Sequence, residues 1–132
     1  PPKQWEDIVL GLAGAQTERV AIEKAVMQRV YASRKSMEWA REMFTRNQYR
    51  YTSPEDLDAL YERSAAQYNS SLKDLSLCIR NAEVIGIPPH EVNNIVAGPR
   101  RGFSKTELNA ARAMIVDPAF KLYPKFKGYN KQ

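Results

Sequence analysis

The chain holds one cysteine, Cys78, and one histidine, His90, in 132 residues. A lone cysteine forms no intrachain disulfide and supplies no cysteine-rich metal site. A lone histidine leaves little for an imidazole-based zinc centre or a Ser-His-Asp triad. Long apolar runs are also missing. Stretches such as Ile8-Val9-Leu10 fall far short of the roughly 20 residues that a membrane-crossing helix needs. No cleavable signal pattern is present, because Glu6 and Asp7 follow at once on Pro1-Pro2-Lys3-Gln4-Trp5. The lack of an initiator Met reads as a short leader that was removed or lies outside this numbering. There is no P-loop, dinucleotide fingerprint or nucleophile elbow, no internal repeat, no low-complexity tract and no alternating strand pattern. These separate absences agree in pointing away from an enzyme.

What remains is the composition of one folded domain. Hydrophobic residues make up 43% and charged residues 27%, so the chain is apolar enough to build a core and is not of the disordered class. The formal net charge is +5, and its placement matters more than its size. Residues 1–97 hold twelve Lys/Arg against thirteen Asp/Glu, whereas residues 98–132 hold eight against Glu107 and Asp117 alone. The whole positive excess therefore lies in the last quarter, and a polyanion heads the list of partners.

Helical periodicity dominates the rest. Residues 3–12 read as a short helix interrupted near Gly11 and Gly14, so residues 1–16 form an N-terminal arm. From about Thr17 to position 48 there is neither proline nor glycine. Ile22, Val26, Val30, Ser33, Met37, Ala40 and Phe44 recur at steps of three or four, with Val20, Met27, Tyr31, Trp39 and Met43 widening that stripe. Such a helix would be about 48 Å long. After a break at Asn47–Ser53, a second helix starts with Ser53 as N-cap, Pro54 at its first position, and Glu55 and Asp56 in its first turn. Leu57, Tyr61, Ala65, Tyr68, Leu72, Leu75 and Ile79 form its stripe, Asn69-Ser70-Ser71 is its weak spot, and Gly86 suits its C′ position. The fold class expected is all-α: a hairpin of two long antiparallel amphipathic helices over 17–86, then short helices and a basic aromatic tail over 87–132. Of the short helices, one covers 89–97 and another is opened by the capping box Ser104-Lys105-Thr106-Glu107. Helices approaching about 50 Å exceed the radius of gyration of about 14 Å expected of a compact chain this long. A single hairpin cannot cover stripes this wide, so the surplus must meet the C-terminal helices or another copy of the chain.

The candidate chemistry is one-sided. Glu55, Asp56 and Asp58, like Glu6 and Asp7, lie in first helical turns, where acids stabilise the helix end. His90 begins a helix beside Glu91 and reads as structural, and Cys78, between Leu77 and Ile79, reads as a buried inert thiol. The basic features are more informative. Arg100 and Arg101 stand between Pro99 and Gly102, just before the helix that Lys105 opens, where guanidinium forks and exposed helix N–H groups suit a phosphate. In the tail, Lys121, Lys125, Lys127 and Lys131 alternate with Tyr123, Phe126 and Tyr129. Cations of this kind neutralise phosphates while rings pack on sugar or base. The competing reading is a solvated tail whose aromatics dock on the bundle. Arg29, Arg34, Arg41, Arg46 and Arg50 are spread around the first long helix and read as solubilising.

In layout, the proline-led arm, the helices at 17–48 and 54–86, and the short helices after Pro88-Pro89 resemble the coat proteins of filamentous archaeal viruses. Those subunits are helical and package DNA in a filament. The resemblance is architectural and transfers no residue role. It implies a self-assembling subunit bound to double-stranded DNA, in a virion or inside a cell, with neither cofactor nor metal. Independently of that resemblance, the basic features above mark Arg100, Arg101, Lys105, Lys121, Tyr123, Lys125, Phe126, Lys127 and Lys131 as the nucleic-acid-binding residues. Two alternatives compete. The first is a helix-turn-helix regulator, with residues 81–87 leading into a recognition helix that holds Asn93 and Asn94. That helix contains no Lys or Arg for base readout. The second is a helical scaffold that binds another protein through its apolar stripes.

Overall fold

A computed structural model of the protein describes the backbone of residues 2–97 and 103–129 and the side chains of 18–97 and 103–129. Arg100, Arg101 and Lys131 lie outside the described residues. The first helix, α1, spans Pro2–Asn47 without interruption. The break expected near Gly11 and Gly14 does not occur, and residues 2–16 are helical and continuous with the rest of α1. A glycine inside a helix costs only about 1 kcal/mol relative to alanine, and Leu12, Ala13, Ala15 and Gln16 around these two are sound helix formers with no proline among them.

After a 3-10 turn at Gln48–Arg50, α2 runs over Pro54–Val84. It starts as its sequence signals: the Ser53 side chain accepts from the backbone N–H of Asp56 at 3.1 Å, a cap worth about 1 kcal/mol. It ends at Val84, with Gly86 at φ +99° in the left-handed region that β-carbon sterics deny to most residues. The weak spot at 69–71 leaves the helix unbroken. Next come α3, Pro89–Ala97, and α4, Lys105–Val116, the latter opened by the complete reciprocal capping box of Ser104 and Glu107. The architecture is all-α, and among the described residues the only β-pairing is an isolated bridge between Phe126 and Tyr129.

Both long stripes face inward as their spacing dictates. Val26, Val30, Ser33, Met37, Ala40 and Phe44 of α1 are buried against Tyr61, Ala65, Tyr68, Leu72, Leu75 and Ile79 of α2. Four of the five widening residues do not follow, Met43 being partly buried. Val20, Met27, Tyr31 and Trp39 are each at least half exposed, because they sit roughly 100° or more around the helix from the stripe centre. Val92 and Val96 of α3, and Ala110, Ala111 and Met114 of α4, complete the same core. Small polar residues let the two long helices approach. Ser71 donates to the Ser36 hydroxyl at 2.6 Å, and the Gln67 amide donates to the same oxygen at 2.9 Å. Arg112 of α4 ties the short helices down, donating to Asn93 of α3 at 2.6 Å and pairing with Glu83 of α2 at 2.8 Å. Removing either acceptor would leave a half-buried guanidinium short of a partner. Among the described residues, no helix is long and apolar enough to cross a membrane.

Candidate nucleic-acid interface

Residues 117–129 of the basic tail neither continue α4 nor hang free. Asp117 and Pro118 stop the helix, and the Asp117 carboxylate accepts from the backbone N–H of Ala119 at 3.0 Å, turning the chain back. The segment over 120–129 then runs as a strap across the α1–α2 hairpin, held at its backbone by side chains from both long helices. Asn69 clamps Leu122 twice, donating to its carbonyl and accepting from its N–H, each at 2.8 Å. The Tyr61 hydroxyl donates to the Pro124 carbonyl at 2.8 Å, Arg41 to the Lys125 carbonyl at 3.1 Å, and Gln48 to the Lys127 carbonyl at 2.8 Å. Tyr129 closes the far end by donating to Asp58 at 2.8 Å.

An extended chain points successive side chains to opposite sides, and the strap obeys that rule. Leu122, Pro124 and Phe126 face inward, while Lys121, Tyr123, Lys125 and Lys127 are exposed. Phe126 is 3% exposed. Its ring stacks on Phe44 at 5.1 Å between centroids and meets Tyr61 at 5.6 Å and Tyr68 at 6.2 Å. Phe126 is therefore a core residue, not a platform for a base, and the expectation for it is corrected. The inward position follows from its place one residue off the lysines. Gly128 makes the turn that ends the strap. Its φ is +89°, in the left-handed region that favours glycine, and a β-carbon there would also push the side-chain end of Gln48 aside.

Outward side chains recur about every 6.8 Å along the extended part of the strap, with Lys121 and Lys125 on either side of Tyr123 and Lys127 in the turn that follows. No acid occurs between Asp117 and the end of the strap at Tyr129. The bonds that fix the backbone hold this row in place, so a polyanion would pay little ordering cost beyond the lysine side chains themselves.

No family model matches the chain, and no curated protein or solved structure matches it.

The residues marked by the sequence thus fall into separate groups. Lys121, Tyr123, Lys125 and Lys127 share one outward row. Lys105 stands apart, exposed at the start of α4. Arg41 joins the strap although it reads from sequence as a solubilising charge. It holds the strap at Lys125 and lies over the Phe126 ring at 5.8 Å, a cation–π contact that fixes the guanidinium beside the lysine row. The signal available was spacing: Arg34 and Arg41 lie seven residues apart on one side of α1, and Gln48 follows seven residues later in the 3-10 turn. Next to Arg41 lies a depression of about 180 Å³ lined by Arg34, Glu38, Tyr68 and Glu107 among others. Its two arginines are matched by two acids, so the unbalanced positive charge is on the strap and not in the depression. Burial, then the bond donated to Glu107 at 2.6 Å, pushes the Tyr68 phenol well above its ordinary pKa. Cys78 is half-buried, and burial pushes its thiol up too, which keeps the reactive thiolate scarce. Among the described residues, no three of His, Cys, Asp and Glu gather in a way that could hold a metal ion.

Proposed function

We propose that this protein is a non-enzymatic structural subunit that binds nucleic acid, double-stranded DNA in the first instance, and assembles with copies of itself. The observation that carries the reading is the fixed outward row Lys121, Tyr123, Lys125, Lys127, backed by Arg41 and free of intervening acids. Three cations on an anchored extended backbone, with no helix presenting them to a groove, suit contact with phosphates more than readout of bases. Binding is then independent of sequence and falls steeply with salt as condensed counterions return. The architectural likeness to the coat proteins of filamentous archaeal viruses extends this to a DNA-packaging coat or nucleoprotein subunit of a virion.

A helix-turn-helix regulator is the weaker reading. The helix that would read bases, α3, buries Val92 and Val96, commits Asn93 to Arg112, and carries no Lys or Arg. The test is light scattering with electron microscopy on the full chain, with and without random-sequence double-stranded DNA. DNA-dependent regular assemblies are expected. A discrete species that ignores random DNA would overturn the reading and leave a protein-binding scaffold in its place.

A further inference from the structure

A groove of about 650 Å³ runs along the hairpin, lined among the described residues by side chains of α1 and α2 and by Ile85 just beyond α2, with none from α3, α4 or the strap. Its walls combine apolar side chains, Ile22, Leu77 and Ile85 among them, with the small Ala25 and Ala32. Leu77 and Ile85 are 43% and 52% exposed. Small residues beside larger apolar ones form a trough into which a helix can settle closely. A trough of this kind, open to water, costs free energy until it is covered.

The same chain supplies a segment of matching length. Helix α1 has 46 residues and α2 has 31. Ile22 and Ile85 line the same groove, and Arg19 reaches Glu91 at the start of α3 at 2.9 Å. The hairpin thus ends near Ile22, and α1 continues beyond it for residues 2–17, about 24 Å of helix. The groove runs from Ile22 to Ser36 on α1, about 21 Å. In sequence the overhang places Trp5, Ile8, Val9 and Leu12 at steps of three, one and three, one side of a helix. It also carries Lys3 and Asp7, about one turn apart. The groove rim carries Asp74 and Arg29, with Arg29 close enough to Cys78 to act on its thiol and Cys78 one turn along from Asp74. Charges of both signs therefore pair when the overhang enters with Lys3 toward Asp74.

We propose that residues 2–17 of one copy dock in the α1–α2 groove of a second copy, joining subunits head to tail. The overhang cannot serve its own groove, because it is continuous with the helix that forms the groove wall. A contact between two different surfaces repeats until it closes a ring or grows a filament. This inference deepens the self-assembly part of the proposed function and is independent of the strap.

The test uses two full-length variants. Ala25→Arg with Ala32→Arg blocks the groove at exposed helical positions, and Ile8→Asp with Leu12→Asp spoils the overhang. Sedimentation without nucleic acid should show the wild-type chain assembling as concentration rises. Each variant alone should be monomeric, with its association constant lowered by about a hundredfold or more. An equimolar mixture should form a heterodimer and stop there, because one intact overhang meets one intact groove. A wild-type chain that stays monomeric, variants that assemble normally, or a mixture that stays monomeric would each overturn the proposal. As a check against simple misfolding, Asp74→Lys should weaken assembly and Lys3→Glu should restore it; failure to restore would overturn the pairing. Salt-dependent DNA binding by the monomeric variants is measured separately, so loss of assembly and loss of the nucleic-acid reading stay distinguishable.

Discussion

Tyr61 and Pro124 are 63 residues apart in sequence and joined by a 2.8 Å hydrogen bond from the tyrosine hydroxyl to the proline carbonyl. Both are buried, so the bond is the means by which α2 holds the middle of the strap. Tyr61→Phe keeps the ring packing and leaves that carbonyl without its donor. A buried acceptor without its donor costs about 1–3 kcal/mol. For a chain this size that lowers the melting temperature by about 3–10 °C. Thermal melts by circular dichroism would check it, and an unchanged midpoint would mean that the strap is held elsewhere.

Phe126 and Tyr123 are aromatic neighbours on opposite sides of the strap, and they should separate cleanly on substitution. Phe126→Ala removes a ring packed against Phe44, Tyr61 and Tyr68. Truncations of this type cost about 3–5 kcal/mol. Tyr123 is 56% exposed, and Tyr123→Ala should stay within about 0.5 kcal/mol of wild type in stability. Its effect should appear instead in affinity for nucleic acid. Denaturant melts alongside binding titrations of both variants would show whether the division holds.

The long helices were legible because their evidence is local and periodic. Val26 through Phe44 repeat at helical steps, Ser53, Ser104 and Glu107 satisfy backbone groups within three residues of themselves, and Pro54 has no N–H to leave unsatisfied. The strap was not legible in this way, because its anchors are far away in sequence. Asn69 looked like a helix weak point, yet it clamps Leu122, and Arg41 looked like one of several scattered charges. An extended segment of about ten residues also carries too short a pattern to say which side meets the core. For that reason Phe126 grouped with the lysines beside it. The continuity of α1 through Gly11 and Gly14 was missed for a different reason: glycine weakens a helix without removing a backbone donor, as proline would.

If the lysine row contacts phosphates, its contribution should be visible in the salt dependence and not only in affinity. Each cation placed on a phosphate of duplex DNA adds about 0.9 to the slope of log K against log salt. Replacing Lys121, Lys125 and Lys127 together by alanine should therefore flatten the slope by up to about 2.7. These side chains are exposed, so helicity and melting temperature should hardly move. Fluorescence anisotropy over a series of salt concentrations measures this directly. A slope equal to wild type would remove the strap from the interface, whatever the absolute affinity.

Tyr68 predicts how the fold responds to alkali. Its phenol is buried and donates to Glu107, and both features favour the protonated form, raising its pKa above the ordinary value near 10. Below that value both folded and unfolded chains hold the proton, and stability does not depend on it. Above it the unfolded chain loses the proton while the folded chain still keeps it, so stability falls as pH rises through the window between the two pKa values. Wild-type melting midpoints should therefore drop more steeply above pH 10 than those of Tyr68→Phe, which lacks the titrating group. At neutral pH the wild type should be the more stable of the two, because the variant loses the hydrogen bond to Glu107, worth about 1.5–3 kcal/mol. Parallel pH dependences for the two proteins would mean that the Tyr68 proton is not held by the fold.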